Sequence, residues 1–453
     1  MTAVPTGAST ESARVPDSTL RVLVLSHGHP LLSLGGAEVA SYNLHQGLKA
    51  LPGTQSFFLA RVGDSYPRHG QSALMGVDGA DDELLFHADD YDPFLVSNRN
   101  TGDLCRDLRR FVQTLRPDVV HFHHFIGFGL EALYTVREAL PEAVILVTFH
   151  EFLSICHHHG QMVKTAGHKL CKAASPIACH GCFPEISPEA FLRRRQFIRA
   201  MLGLADGYIS PSSFLADRYV SWGLPAENVT VLENGLNLGS PAGPRPVAAG
   251  KTRRSRFAFF GQMTPYKGVD VLLDAVQRIP ESIWGDDATL TIHGGNLERQ
   301  PEAFRDRMAT LLEAAGERVR FAGSYQNADM PSLIRQADWV MMPSVWWENS
   351  PVIIQEAFFH GRPIICSDIG GMAEKVRDGV DGLHARAASP EALADRMSEA
   401  LTEPGLWQRL RSGIRPPKTH LESASEHVTL YRRYLESRNA AETHLQDPLR
   451  QSA

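Results

Sequence analysis

The residues with the most chemical content in this 453-residue chain lie between Pro343 and Ala357, PSVWWENSPVIIQEA. Two carboxylates, Glu348 and Glu356, stand eight positions apart, the first in a polar loop and the second in the second turn of a predicted helix. Ser350 is a favoured N-cap and Pro351 a favoured first helical residue. The amides of Val352, Ile353 and Ile354 would then lie unpaired at the positive end of a helix dipole, where an anion such as a diphosphate is stabilised. Two carboxylates reaching that place from different directions suit hydrogen bonding to the hydroxyls of two sugar rings.

Three other segments supply matching chemistry. In Phe260 to Asp270, FGQMTPYKGVD, a strand ends at Gly261 and a helix begins near Gly268, so Lys267 is placed to pair with phosphate. Ile292-His293-Gly294-Gly295 ends a strand in small residues that admit a ligand to the backbone, and reads equally well as a plain turn. SDIGGMAE, from Ser367 to Glu374, puts Gly370 and Gly371 ahead of another helix start. In the N-terminal half, Gly35, Gly36 and Glu38 follow the first strand, and VTFHE puts His150 at the end of a later one. His121, His123 and His124 end the strand between them.

With Glu348, seven intervening residues and Glu356, the chain resembles retaining glycosyltransferases of family 4. Their fold is α/β, the GT-B arrangement of two Rossmann-like domains facing each other across a cleft. The resemblance implies transfer of a sugar from a nucleoside-diphosphate sugar to an acceptor hydroxyl with retained configuration, in bacterial polysaccharide, glycolipid or glycoconjugate biosynthesis. It implies that Glu348 contacts the transferred sugar and Glu356 the ribose of the nucleotide. It also implies that Gly35, Gly36 and Glu38 approach the phosphate and sugar from across the cleft, and that Gly370 and Gly371 lie near the donor sugar. His150 contacts the donor sugar or helps position the acceptor. His150, Glu348 and Lys267 form the catalytic set, and Gly261, Gln262, Lys267, Ser350, Pro351, Val352 and Glu356 complete the donor site. The family usually has Arg where this chain has Gln262, so one diphosphate cation is missing or supplied from elsewhere. No nucleophile is identifiable. The resemblance points to same-face attack, with the leaving phosphate taking the acceptor proton. Two other readings compete: a GT-B-fold nucleotide-sugar epimerase, which needs no acceptor, and a non-catalytic carbohydrate-binding scaffold.

Four of the six cysteines crowd into one segment, as Cys156, Cys171, Cys179 and Cys182. Four thiolates suffice for tetrahedral zinc; an iron–sulfur cluster uses the same ligands and is the lesser expectation, and His157, His159, His168 or His180 could replace one thiol. The metal would be structural, since four protein ligands leave no open position. Otherwise no organic cofactor is expected beyond the nucleotide-sugar donor.

The elements that must position these residues follow from apolar runs. Leu20 to Ser26, Phe57 to Ala60, Val119 to Phe122, Val144 to Phe149 and Gly207 to Ser210 read as buried parallel strands alternating with helices. The alternation restarts with Phe257 to Phe260, Thr289 to His293, Val319 to Phe321, Trp339 to Met342 and Pro363 to Ser367. The expected organisation is a disordered leader at 1–19, an acceptor-side domain at 20–238 with the cysteine insert at 156–182, and a linker at 239–255. A nucleotide-sugar-binding domain at 256–417, a terminal helix at 418–440 and a disordered tail at 441–453 complete it.

Composition narrows the partners. A net charge of −6 gives no reason to expect nucleic acid, and 43% hydrophobic with 21% charged residues is ordinary for a globular protein. No run approaches the ~20 apolar residues of a membrane span, no signal peptide is evident, and sparse cysteine fits a reducing compartment. The expected location is cytoplasmic, with the inner face of the membrane as an option. That option comes from the four arginines of Phe191 to Ala200, FLRRRQFIRA, which read as a solvated helix face or as a peripheral contact with anionic lipid or a phosphate-bearing acceptor. Oligomeric state is not indicated.

Overall fold

The computed structural model describes residues 19–450 except 34, 64, 69, 168 and 248–252, with side chains to residue 440. The expected leader therefore lies outside the described residues but for its last position, as does the end of the expected tail at 451–453.

The first half contains β1 (Leu20–Ser26), β2 (Thr54–Val62), β3 (Leu74–Val77), β4 (Ala80–His87), a small ribbon of β5 (Tyr91–Asp92) and β6 (Ser97–Asn98), then β7 (Val119–Phe122), β8 (Val144–Thr148), β9 (Gly207–Ser210) and β10 (Val229–Val231). Apart from the ribbon they form one sheet in the order β10-β9-β8-β7-β1-β2-β4-β3, with only the β3–β4 pair antiparallel. β8, VILVT, is buried at every position, as a strand covered by helices on both faces must be. The second half contains β11 (Arg256–Phe260), β12 (Thr289–His293), β13 (Val319–Gly323), β14 (Trp339–Met342), β15 (Ile364–Ser367) and β16 (Gly382–Ala385). They make an all-parallel sheet in the order β13-β12-β11-β14-β15-β16.

In each sheet the chain leaves the first strand in one direction and returns on its other side: β1 lies between β2 and β7, and β11 between β12 and β14. At such a switch point the loops after the two central strands diverge and leave a crevice at the carboxyl ends, where open α/β sheets take ligands. The fold is thus α/β with two Rossmann-like domains. The crevice loops are 27–35 and 123–130 in the first domain, and 261–268 and 343–351 in the second.

The last helix, His420–Arg450, returns to the first domain and completes its core: Ala424, Leu430 and Tyr431 pack with Val22, Val24 and Leu146. It crosses the helix Gly36–Ala50 so closely at Gly47 that a Cβ there would lie 2.5 Å from the His420 carbonyl. The terminal helix expected to stop at 440 runs on to Arg450, because nothing in 441–450 breaks it until Pro448, which falls in its last turn. The described part of the expected linker is not free-standing. Arg245 pairs with the buried Asp338 at 2.6 Å, and the Ala242 amide donates to His360 Nδ1 at 2.8 Å, so the segment docks on the second domain.

His121 on β7 is fully buried, with Nδ1 2.7 Å from the Tyr431 hydroxyl and Nε2 2.7 Å from Thr148 Oγ1. Burial, then the neighbouring His427 and His150, hold its pKa well below the usual imidazole value, so the ring is a neutral structural link. Tyr431→Phe strands one ring nitrogen. It is expected to lower unfolding free energy by about 1–3 kcal/mol in urea titration, and an unchanged midpoint would show that the helix docks without this bond.

Candidate active site

The loop after β14 leads to the helix Val352–Phe359, one residue later than the sequence suggested. Pro351 keeps an extended ψ of 122° and takes the cap position, while Ser350 is drawn toward Glu233 Oε1 of the first domain at 3.4 Å and caps nothing. The Ile354 amide bonds the Pro351 carbonyl at 3.0 Å, so the helix opening offers the amides of Val352 and Ile353 rather than three.

Glu348 is buried, and one of its oxygens is heavily committed. Oε1 accepts from Lys267 Nζ at 2.6 Å, Ser344 Oγ at 2.8 Å and Trp346 Nε1 at 3.0 Å. Burial pushes the carboxyl up, but the Lys267 charge and these three hydrogen bonds outweigh it and hold it below the ordinary value. Lys267 is set by backbone contact: a Cβ on Gly268, where φ is +67°, would lie 2.1 Å from the Pro343 carbonyl. Only glycine lets the loops after β11 and β14 approach so closely. Gly370 and Gly371 buttress the same loop. The Gly371 amide donates to the Glu348 carbonyl at 2.6 Å, and a Cβ on Gly371 would lie 1.7 Å from the Asn349 carbonyl.

Glu356 is the opposite case. Its carboxylate makes no hydrogen bond or ion pair among the described residues, and burial pushes its pKa up to about 7. Tyr325 lies near enough to feel that charge after its own burial. Gly261 turns at φ +147° with its amide on the His293 carbonyl at 3.0 Å, and Gln262 is exposed, its carbonyl accepting from the Thr264 amide at 3.1 Å while its side chain makes no hydrogen bond among the described residues.

Across the crevice, Gly35 caps the helix Gly36–Ala50 and Glu38 folds back over it. A Cβ on Gly35 would lie 2.4 Å from Glu38 Oε2. Glu38 Oε1 is 3.2 Å from His27 Nε2 and accepts from Ser33 Oγ at 3.1 Å. Burial raises the Glu38 carboxyl, yet the His27 bond and charge, its own amide and Ser33 bring it down to about 2. His150 stacks on His123, Nε2 to Nδ1 at 3.0 Å, and burial lowers it to about 3. Its carbonyl accepts from Asn349 Nδ2 at 2.7 Å, which ties the two domains together beside Glu348. His27, Glu38, His150 and Glu151 from the first domain and Ser350 and Val352 from the second enclose a cavity of about 310 Å³. Glu151 was not foreseen here, although it follows His150 directly. Burial pushes it up to about 8, and His124 Nε2 lies 3.3 Å from it. His27, seated just beyond β1, was likewise missed.

The four thiols and His157 line one cavity of about 20 Å³, room for a single ion or water. The thiols do not close to coordination spacing. Among the described residues the group with three ligand atoms all within 4.8 Å is His45, Asp82 and Glu83. His158 and His180 spend Nδ1 on the carbonyls of Val163 and Ile186, His157 Nδ1 is buried without a partner, and His168 lies outside the described residues. Of the four arginines read as a solvated face or a cationic patch, Arg194 is buried on the carbonyls of Phe94, Leu153 and Ser154, Arg195 and Arg199 donate to those of Trp222 and Gly223, and Arg193 is exposed. Arg194 is thereby removed from the outer face of the helix. No helix among the described residues is long and apolar enough to cross a membrane.

Comparison with known proteins places both halves. Residues 34–240 match the model described as Glycosyltransferase Family 4, and residues 254–403 match Glycosyl transferases group 1. A D-inositol 3-phosphate glycosyltransferase of Salinispora arenicola is 29% identical over 317 residues, 66% of this chain and 64% of that protein. The chain thus spans slightly less than two thirds of that relative's length. Among solved structures, sucrose-phosphate synthase from Thermosynechococcus elongatus superposes with a TM-score of 0.68 at 18% identity, covering 92% of this chain and all of that one. The Anabaena protein HepE in complex with UDP gives 0.60 at 18% identity, covering 93% of this chain and all of that one. The architecture is GT-B.

The unsatisfied Glu356 makes stability depend on pH in a stated direction. Its folded pKa of about 7 lies above the ordinary 4.5, so between these values the folded state binds more protons than the unfolded one, and stability falls as pH rises. Glu356→Gln should therefore raise the melting temperature at pH 8, by on the order of 2 kcal/mol of stability, and leave it unchanged at pH 4. Equal shifts at both pH values would refute the assignment.

Proposed function

We propose, from the premise that the two halves match the Glycosyltransferase Family 4 and Glycosyl transferases group 1 models in a GT-B arrangement, that this protein moves a sugar from a nucleoside-diphosphate sugar to an acceptor hydroxyl with retained configuration. The observation that carries the reading is the setting of Glu348 and Glu356 around the opening of the helix Val352–Phe359. The amides of Val352 and Ile353 and the positive helix end favour a diphosphate, and Lys267 adds a cation. Glu348 keeps Oε2 free for a hydroxyl of the transferred sugar while Oε1 is held. Glu356, without donors of its own, suits the ribose diol. Gly261, Gln262 and Pro351 border the donor, and Gly35, Gly36 and His150 shape the opposite wall. UDP in the complex of HepE supports a nucleoside diphosphate as the donor's leaving group.

In this reading the departing phosphate oxygen takes the acceptor's proton on the face where the new bond forms. Lys267 and the helix amides stabilise the charge left on it. His150, held neutral, offers a hydrogen bond to sugar or acceptor instead of a charge. The acceptors in view are polysaccharides, glycolipids and glycoconjugates, with the enzyme acting in the cytoplasm. We also read Cys156, Cys171, Cys179 and Cys182 as ligands of a structural zinc. The ion-sized cavity and the orphaned His157 Nδ1 support this.

The test is a panel of nucleotide sugars with mixed acceptors, read by mass spectrometry for transfer and by NMR for anomeric configuration. Retained product is expected, with kcat/KM of Glu348→Gln down at least about a hundredfold. Inverted product would refute retention, isomerised donor without transfer would favour an epimerase, and no thermal shift with any nucleoside diphosphate would favour a scaffold. Metal analysis of the purified chain should return about one zinc per molecule; neither zinc nor iron in stoichiometric amount would remove the metal.

A further inference from the structure

The loop between β14 and the donor-side helix alternates in direction, as extended chain does. Trp346 and Glu348 face the second domain, where the Trp346 indole donates to Glu348 Oε1 and lies against Tyr266, ring centroids 5.6 Å apart. Trp347 and Asn349 face the first domain. Asn349 donates to the His150 carbonyl, and Trp347, only 9% exposed, is a member of the first domain's core cluster although its backbone belongs to the second. Its Nε1 donates to the Cys171 carbonyl at 3.1 Å, and its ring lies 5.2 Å from that of Phe214. The Arg218 guanidinium stands 4.9 Å over the indole and 5.0 Å over Phe214, and the same group donates to the Lys172 carbonyl.

Trp347 is held from two places: the backbone of the cysteine insert at Cys171, and the helix Ser213–Trp222, whose Arg218 is itself tied to the insert at the Lys172 carbonyl. The insert strand is itself fixed, with the Cys171 amide on the Met162 carbonyl at 2.7 Å and a bridge between Val163 and Leu170. A buried indole with its N–H paired and a cation on its face is held by packing, by a hydrogen bond and by a cation–π contact at once. The peptide bond joining Trp347 to Glu348 passes that fixation to the carboxylate.

We propose that the cysteine insert of the first domain is a positioning element for Glu348, acting through Trp347 as a latch across the cleft. The functional meaning rests on the reading of Glu348 as a donor-site carboxylate; the physical coupling does not, and it holds with or without a metal on the thiols. The insert thereby reports domain closure to the donor site: when the domains part, Trp347 loses its pocket and Glu348 loses one of its two supports.

Hydrogen exchange of the full chain, followed by mass spectrometry, tests the coupling without any substrate. Cys179→Ser, remote from Trp347 in sequence, is expected to speed exchange of peptides covering 343–351 by about fivefold or more. Trp347→Ala should in turn speed exchange across 160–182, because coupling between two sites is reciprocal. Trp347→Phe, which keeps the stacking and loses only the N–H, should give a smaller effect in the same peptides and guards against a Cys179→Ser chain that fails to fold. In the transfer assay Trp347→Phe should lower kcat about tenfold with donor KM within about twofold. Faster exchange confined to the mutated domain in both directions overturns the latch. Loss of coupling with transfer intact, or transfer absent with coupling intact, separates its failure from that of the proposed function.

Discussion

The site depends on the ion pair between Lys267 and Glu348. A carboxylate taken out of water costs several kcal/mol, and one cation at the edge of the pocket repays that only with further hydrogen bonds. Ser344 and Trp346 supply them on the same oxygen. The pair can form because Gly268 lets the loops after β11 and β14 meet backbone to backbone. It also requires Gly370 and Gly371 to lie flush under the Glu348–Asn349 peptide. Three glycines on two loops thus answer to one carboxylate on a third, and the three loops sit at the carboxyl ends of β11, β15 and β14.

The two domains divide the electrostatics. Both present a helix start to the crevice, but the one at Gly36 is closed by its own Glu38, whose carboxylate covers the cap residue. Its positive end is already neutralised. The helix at Val352 has no acid in its first turn, so its amides and dipole remain available to an anion. The first domain contributes shape, imidazoles and carboxyls instead, with His150 held neutral by burial and Glu151 raised by it. In the proposed reading, charge for the diphosphate comes from the second domain and contacts to neutral hydroxyls from the first.

How much of this was legible in the sequence follows from the range of each interaction. Strands covered on both faces write themselves as largely apolar runs, so β1, β7, β8 and β14 are readable without coordinates. β4 is not, because Asp81, Asp82 and Glu83 interrupt ADDELLFH, and short β16 carries His384 in four residues. Lys267 and Glu348 could be named as chemically apt, but their 2.6 Å contact is a product of loop packing. Ser350 looked like a cap because local rules favour it, and Glu233, distant in sequence, took its hydroxyl. Arg194 could not be told from its exposed neighbours in the 191–200 helix, because sequence shows charge and hides the carbonyls that receive it. What was missed is mostly cross-domain: Trp347 on Cys171, Asn349 on His150, Glu374 on the amides of Ser213 and Phe214.

The contrast between the two glutamates explains why such a site is built from unequal parts. Glu348 is satisfied before any ligand arrives: its ionisation is fixed by Lys267 and its position by both domains. In its proposed role against the donor sugar it gains from that preorganisation, since no reorganisation is left for the moment of reaction. Glu356 is left half-buried with its carboxylate unpaired among the described residues, which costs stability in the free protein and, in the proposed reading, is recovered when the ribose hydroxyls reach it. A satisfied Glu356 would bind nothing, and an unsatisfied Glu348 would not hold still. Placing the first on a regular helix and the second on a loop braced from three sides gives each the rigidity its task needs. The bracing from the first domain, through Trp347 and Asn349, exists only while the two domains are together.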